Sequence, residues 1–522
     1  MPSIPFRFPA ASRTLTASVL AFFMVTLDAV IVNIALPTIR ASVGGGMTGS
    51  QWVADSYTLT FAALLLSAGA LADRIGARRA LRAGLTMFAA ASAASALAPD
   101  LTVLVSARFA QGAAAAVMMP SSMALVSQAY REPARKARAL AVWSMGAALA
   151  TSAGPLLGGV LTLASWRLIF VINVPAVAVT LGLLARAPRS PRRQVPFDWF
   201  GQVTAVVAMA GLTYGAIEAG SQGLSAPMVI AAVVVAAAAL GAFIMIEARG
   251  THPMMPLGLF RSRAMSVSVA VGFAFVVGFY GLPFVMSLYL QEVRGLSPLA
   301  AGIAFLPMML TGAALTPFGA RFAECLSARV VIAIGLGAMA VGLTVLSTIV
   351  LTPSPVWMLS AVMILTGLAG ATVTSPMTGL LLNAVPQHQA GTAGGVFNTS
   401  RQVGGALAVA VFGALLARHS SFMQGMRVSL LIAAAVALAA AAMCGLLRRV
   451  VTGRHARGNP VPAPAPVPAP GLVPESEAAT IAALPAASVQ VLIPAQTGPV
   501  EAEESGAGEF VARGVRGVAP PD

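Results

Sequence analysis

Gly69-Ala70-Leu71-Ala72-Asp73-Arg74-Ile75-Gly76-Ala77-Arg78-Arg79 is a short charged turn set between two long apolar runs. At an offset of 250 residues, Gly319-Ala320-Arg321-Phe322-Ala323-Glu324-Cys325-Leu326-Ser327-Ala328-Arg329 takes the same place between a later pair of runs. Further out, Gln111-Gly112 through Met119-Pro120 resembles Thr366-Gly367 through Ser375-Pro376. The second copies have lost most of the charges. Weak repeats half a chain apart predict a molecule made of two related halves; the alternative is chance similarity in a chain rich in Ala and Gly.

The apolar runs are long enough to make the bilayer the solvent. Of 522 residues 58% are apolar and 9% charged, where soluble domains carry about 25% charged residues; mean hydropathy is +0.85. With about 20 residues per crossing, runs lie near 15–36, 51–72, 80–98, 101–129, 137–163, 167–186, 199–218, 226–247, 265–290, 298–320, 329–351, 355–384, 392–417 and 427–448. That is about fourteen spans, an all-α membrane protein. The expected divisions are a cytoplasmic N-terminus (1–14), a first six-helix bundle (15–190), a two-helix insertion (191–264), a second six-helix bundle (265–450) and a Pro/Ala-rich disordered tail (451–522).

Net charge is +15, and the cations alternate between connections. Arg74, Arg78, Arg79 and Arg82, then Arg131, Arg135, Lys136 and Arg138, then Arg186, Arg189, Arg192 and Arg193 fall on one side, whereas the other carries little beyond Arg40, Arg167, Arg294, Arg418 and Arg427. The positive-inside rule places both termini in the cytoplasm. Basicity is thus topological, and no nucleic-acid partner is expected. The first run holds Asp28 and Asn33 and no small-residue cleavage site, so it reads as a span rather than a signal peptide. Arginine in place of lysine, with heavy alanine use, points to a GC-rich bacterial genome and hence a bacterial plasma membrane.

The same composition removes several classes of chemistry. Lys136, the only lysine, lies in Ala-Arg-Lys-Ala-Arg, so there is neither a phosphate-binding Gly-Lys-Ser/Thr loop nor a buried Schiff-base lysine. His252, His388, His419 and His455 all lie outside the runs, and Cys325 and Cys444 have no metal spacing. No enzyme, cofactor or metal is expected.

Asp28 and Arg108 are the residues whose position costs most. A charge near the bilayer centre costs ~2.5 to ~17 kcal/mol, which makes it a functional candidate by default. Asp28 lies about eight residues below the outer end of its span, roughly 12 Å, and Arg108 about seven residues, roughly 10 Å, at 1.5 Å per residue. At matched depth they can pair, with Gln111 one turn deeper on the Arg108 face. Burial favours the neutral acid and the guanidinium favours the carboxylate, so such a pair can hold a titratable proton; a static ion pair is the other reading. Asp55 is shallower, either a second coupling acid or simply hydrated. Gly146, Ala150, Gly154 and Gly158 form a small-residue stripe with Pro155 and Gly159 beside it, which reads as a seal between halves or as ordinary close packing. Asp73 ends its helix as an acid suited to another helix's N-terminal dipole. Arg401, near Asn398 and Gln402, either snorkels to the interface or lines a cavity. Tyr57, Met118, Met119, Phe275, Tyr280, Phe284, Asn398 and Arg401 are candidate cavity residues, with lipid-facing or core positions as the alternative for the apolar ones.

Together these motifs resemble the major facilitator superfamily, in its fourteen-span drug:proton antiporter branch. Leu27-Asp28-Ala29-Val30-Ile31-Val32-Asn33-Ile34-Ala35-Leu36-Pro37 is similar to that branch's first-span motif, and Gly69 to Arg79 to the superfamily's loop signature, with Ala77 where a basic residue is usual. Arg108-Phe109-Ala110-Gln111-Gly112, Gly154-Pro155-Leu156-Leu157-Gly158-Gly159 and Trp166-Arg167-Leu168-Ile169-Phe170-Val171-Ile172-Asn173-Val174-Pro175 complete the set. The resemblance implies two six-helix bundles around a central cavity plus two extra helices. It implies export of amphipathic or apolar small molecules in exchange for protons, by a monomer. Asp28 and Arg108, with Gln111, Asn33 and Asp55, would couple protons. Gly69, Asp73, Arg74, Gly76, Arg78 and Arg79 would form a cytoplasmic gate, and Gly154-Pro155 would enforce exchange. An uptake symporter is the alternative on the same fold; a non-transporting sensor or assembly factor signalling through the tail is the alternative of another class.

Overall fold

The computed structural model describes residues 10–446 except 131, 189, 193–197, 251–252, 386–388 and 419–421. The first nine residues, the Pro/Ala-rich tail, all four histidines, and Arg131, Arg189 and Arg193 lie outside the described residues. Among the described residues every regular element is helical. The α-helices are α1 (Ala10–Val43), α2 (Gly46–Ile75), α3 (Ala77–Ala96), α4 (Leu101–Ala129), α5 (Pro133–Ala164), α6 (Leu168–Val171), α7 (Asn173–Ala185) and α8 (Trp199–Gln222). They continue as α9 (Pro227–Arg249), α10 (Arg263–Leu288), α11 (Pro298–Ala304), α12 (Leu306–Leu326), α13 (Ala328–Ile349), α14 (Val356–Asn383), α15 (Ala390–Arg418) and α16 (Phe422–Met443).

Local chemistry sets many of the ends. Asp100 caps α4 by accepting from the Val103 N–H at 2.9 Å, and Asp198 caps α8 from Gly201 at 2.8 Å. Proline opens α9 and α11, where its missing N–H is no loss. Exposed Val234, Leu240, Ile244 and Met245 show α9 turning its apolar side chains outward, as a helix in lipid does.

Each of the fourteen expected runs falls on a helix or a broken helix, yet among the described residues twelve are long and apolar enough to cross a membrane, or thirteen when α11 and α12, bent by 41° at Phe305, count as one. The expectation of fourteen is thus met only to that extent. α3 falls short because Arg78, Arg79 and Arg82 crowd its first turns and Ser and Thr dilute the rest. The molecule is a multi-pass, all-helical membrane protein.

Helix pairing repeats between the halves. α2 packs on α4 and α3 on α4; α12 packs on α14 and α13 on α14. α1 packs on α5 and α7, as α10 does on α15 and α16. The register of the repeat at the turn is 251 residues, one more than the motifs suggest. Gly76, with φ 92° and ψ 129°, joins α2 to α3, and Ser327, with φ 73° and ψ 140°, joins α12 to α13. Ser327 is the only non-glycine with positive φ among the described residues.

α8 and α9 pair with each other, and α8 lies against both α2 and α15. Its attachments differ. Gln202 donates to the Ala63 carbonyl of α2 at 2.9 Å and accepts from Ser67, and Tyr214 packs on Trp52 with ring centroids 6.1 Å apart. On the α15 side Gly220 meets Ala414, whose Cα stands 2.6 Å from where a Cβ on Gly220 would sit.

Candidate functional site

Asp28 on α1 and Arg108 on α4 meet inside the first half, both fully buried, as an ion pair between Asp28 Oδ2 and Arg108 Nη1. Asp28 Oδ1 accepts from Gln111 Nε2 at 3.1 Å and Asn173 Nδ2 at 3.0 Å. Arg108 donates Nε to the Val53 carbonyl at 3.1 Å and Nη1 to Gln111 Oε1 at 3.1 Å. Its guanidinium lies 4.4 Å from the Tyr57 ring centroid and 5.7 Å from that of Phe170. Tyr57 is held in turn by its hydroxyl, which donates to the Val25 carbonyl at 2.8 Å. Ser92 accepts from both Gln111 and Asn173 and donates to the Phe170 carbonyl; Ser95 donates to Gln111. Every donor and acceptor named here is satisfied within a fully buried shell, where such bonds are strongest. Nη2 of Arg108 is the exception, buried without a partner.

A cavity of about 1110 Å³ lies beside this cluster, larger than a drug-sized ligand requires. Val25, Thr26, Ala29 and Val30 of α1 border it, whereas Asp28, on another face of the same helix, does not. The cavity reaches the membrane face that carries Asp73, Asp198 and Met254. At the opposite face the halves are joined. Arg40 pairs with Glu292, Ser287 donates to the Asn33 carbonyl at 2.8 Å, and Gln291 donates to the Ile34 carbonyl at 3.0 Å. There Gly302 of α11 packs on the Pro155 carbonyl of α5, and Gly159 packs 2.7 Å (from an added Cβ) from Leu299 Cα.

The sequence candidates distribute unevenly over this geometry. Asn33 borders the cavity and takes no part in the Asp28 cluster. Asp55 also borders it, fully buried, with no hydrogen-bond partner on either carboxylate oxygen; the nearby Thr58 hydroxyl turns to the Ala54 and Asp55 carbonyls at 3.4 and 3.2 Å. Met119, Phe275, Tyr280, Asn398 and Arg401 line the cavity. Tyr57, Met118 and Phe284 do not, because each is buried in the packing between helices: Tyr57 under Arg108, Met118 against Gly84, and Phe284 within the core of the second half. Position along a helix sets depth, and the face was not legible for these three.

The turn motif is anchored in part. Gly76 leaves room for the Ser190 carbonyl, which would stand 3.2 Å from a Cβ; Arg78 Nη2 donates to the Ala185 carbonyl at 2.6 Å. Gly69 and Asp73 line the cavity, and Asp73, Arg74 and Arg79 are exposed. Asp73 docks on no helix terminus among the described residues in this conformation. Of the stripe, Gly146, Gly154 and Gly158 face α1, where an added Cβ would stand 2.9 Å from the Val19 carbonyl, 2.8 Å from Val30 and 3.0 Å from the Ile31 carbonyl. The stripe therefore packs inside the first half, and only Pro155 and Gly159 reach the second.

Asn173, Ser92, Ser95 and Phe170 were not singled out. Asn173 had a signal, a lone amide between Ile172 and Val174 in an apolar run; the serines, scattered through the Ala-rich α3, had none.

Comparison with known proteins agrees with this architecture. The chain is 37% identical over 410 residues to the "Multidrug resistance protein Stp" of Mycobacterium tuberculosis, covering 77% of this chain and 75% of that one. It is 35% identical over 424 residues to the "Methylenomycin A resistance protein" of Streptomyces coelicolor, covering 80% and 88%. Its fold matches the crystal structure of a POT family transporter in complex with 5-aminolevulinic acid, with TM-score 0.64 at 14% identity over 84% of this chain and 95% of that one. The model of the Major Facilitator Superfamily matches residues 18–409, with a second match at 269–495. With two halves of matching helix pairs around one cavity, and sequence matches that run through both, the chain belongs to the major facilitator superfamily.

Proposed function

We propose that the chain exports amphipathic or apolar small molecules in exchange for protons, by alternating access. The observation that carries this reading is Asp28: a wholly buried carboxylate held by Arg108, Gln111 and Asn173, on a helix whose other face borders a drug-sized cavity. Parting Asp28 from Arg108 leaves an acid in a low dielectric, which favours proton uptake; re-forming the pair expels the proton. The relatives named for multidrug and methylenomycin A resistance support the outward direction. Near 150 mV one proton supplies roughly 3.5 kcal/mol, enough for an outward gradient of a few hundred-fold at ~1.4 kcal/mol per decade.

In the same reading α3 and the bent α11–α12 pair also cross the bilayer, giving fourteen spans with both termini cytoplasmic, and the cavity faces the cytoplasm. Residues 15–190 and 265–450 are the moving bundles and 191–264 the insertion, in a monomer. Asp73 latches the cytoplasmic face when the cavity turns outward, and Pro155 and Gly159 hold the opposite seam closed in the meantime.

The test is dye and antibiotic efflux from cells or inverted vesicles before and after an uncoupler. Export that stops on collapse of the proton gradient, and is lost in Asp28→Asn while truncation at 459 leaves it intact, is the expected result. Efflux that persists without a gradient overturns the coupling.

A further inference from the structure

Several arginines within or near the spans have something to hold. Arg108 has Asp28, Arg40 has Glu292, Arg294 donates to the Ser354 carbonyl at 2.9 Å, Arg167 to the Ala98 carbonyl at 3.1 Å and Arg78 to that of Ala185. Arg401 of α15 is different. It lines the cavity, its Nε is buried without a hydrogen-bond partner, and its one specific contact is with the Phe397 ring, 5.8 Å from the guanidinium carbon. The residue as a whole is half-buried, and its terminal nitrogens, unlike Nε, are not enclosed, so the head of the guanidinium is open to the cavity. Among the described lining residues the charged ones are Asp55, Asp73, Asp198 and Arg401, so Arg401 is the single cation.

None of those acids forms an ion pair with it. α2 and α15 are neighbours running in opposite directions, with Leu66 against Gly395 and Gln51 against Gly413. Arg401 therefore lies level with about residue 61 of α2, and Asp55 stands about six residues nearer the closed end, roughly 9 Å along the axis at 1.5 Å per residue. Asp73 and Asp198 are at the mouth. What does lie beside Arg401 is aromatic. Gly405, one turn on, gives the Tyr280 ring a flat seat, 3.1 Å from where a Cβ would be, and Tyr280 continues into Phe279 and Phe275 with ring centroids 5.7 and 5.0 Å apart. A row of rings next to an unpaired planar cation complements a flat apolar body ending in an acid, which Arg can grip with two parallel hydrogen bonds.

We propose that Arg401 is the anion-binding residue of the cavity, and that the cargo includes aromatic amphiphiles carrying a carboxylate or a similar acidic group. This deepens the export reading and rests on it for the word cargo; the binding preference itself needs no transport. The same guanidinium chemistry also suits a lipid phosphate, so the source of the anion belongs in the test.

Binding of 1-pyrenebutyrate and 1-pyrenebutanol, which share ring and chain and differ in the acid, is measured by fluorescence on the purified full chain without a gradient. It is done in maltoside micelles, which hold no phosphate, and in phosphatidylglycerol nanodiscs. Arg401→Gln is expected to weaken the acid about tenfold, as loss of a charge-assisted hydrogen bond would, and the alcohol less than twofold. The unchanged alcohol reports an intact cavity. Arg401→Lys, which keeps charge but loses the planar fork, is expected to weaken the acid several-fold and serves where the glutamine variant does not fold. Equal loss of both probes, or an acid affinity that neither variant changes, overturns the proposal. So does an acid preference present in micelles and absent in phosphatidylglycerol, which would make this a headgroup site. A preserved acid preference with no gradient-driven efflux of any probe sinks the export reading and leaves the subsite standing; ethidium efflux without acid preference does the reverse.

Discussion

The crossing of α4 over α2 and that of α14 over α12 share a framework and differ in chemistry. In the first, Gly112 brings α4 against the Tyr57 carbonyl; in the second, Gly367 brings α14 against the Met308 carbonyl. One turn before each glycine the two diverge. Arg108 and Gln111 stand in the first half, and at the same spacing Met363 and Thr366 stand in the second. Met363 is buried among apolar side chains, and the Thr366 hydroxyl is buried without a partner. The glycines are a requirement of the fold, since no side chain fits between the helices. The polar cluster belongs to one copy alone, which is what a chemical task confined to one half would leave.

That contrast can be broken by substitution. The largest effect is expected at Arg108 and Asp28. Arg108→Met, which copies the second half, leaves Asp28 as an uncompensated buried charge and should cost about 3–5 kcal/mol, read as lost thermal stability in detergent. Asp28→Asn keeps the shape and should cut gradient-driven efflux by more than tenfold while the protein still inserts. If Arg108→Met transports normally, the first half's cluster is ornamental.

Next come the shared glycines. Gly112→Ala and Gly367→Ala each drive a methyl into a backbone carbonyl, and overpacking of this kind costs about 1–3 kcal/mol. Losses of similar size in both variants would mark the crossings as equivalent, and a loss in one alone would break the symmetry.

A smaller pair of effects is expected at the turns. Ser327→Gly should stabilise by about 1 kcal/mol because it relieves a serine held at positive φ, and Gly76→Ser should destabilise by about as much or more. Smallest of all, Thr366→Val removes a hydroxyl that bonds to nothing and should be neutral or slightly stabilising, by about 0.5 kcal/mol. Gln111→Leu, its counterpart, strips bonds from Asp28 and Arg108 and should be clearly worse.

How much of this was legible follows from the same residues. Asp28 and Arg108 stood out because a charge within an apolar run has few innocent explanations, and counting residues from the span ends put them at one height. Asn173 carried the same signal more faintly. Ser92 and Ser95 carried none, since serine among alanines is equally at home facing lipid, core or network. The repeat was visible, but its register was off by one. The first copy marks its turn with Gly76, whereas the second has Ser327 there, so the residue that would fix the alignment is disguised. Tyr57, Met118 and Phe284 failed as cavity residues for another reason. Apolar spans are hydrophobic on every side, so periodicity does not say which flank faces a neighbour.

The α8–α9 hairpin meets its two neighbours with different chemistry. Hydrogen bonds from Gln202 and Ser67 and the Trp52–Tyr214 ring pair tether it to α2, while toward α15 Gly220 lies in close contact with Ala414. In the export reading proposed above, the hairpin would travel with the first half, and the Gly220–Ala414 contact would be where it slides against the second. A bulky residue placed there would act as a brake on the cycle without touching cargo or proton.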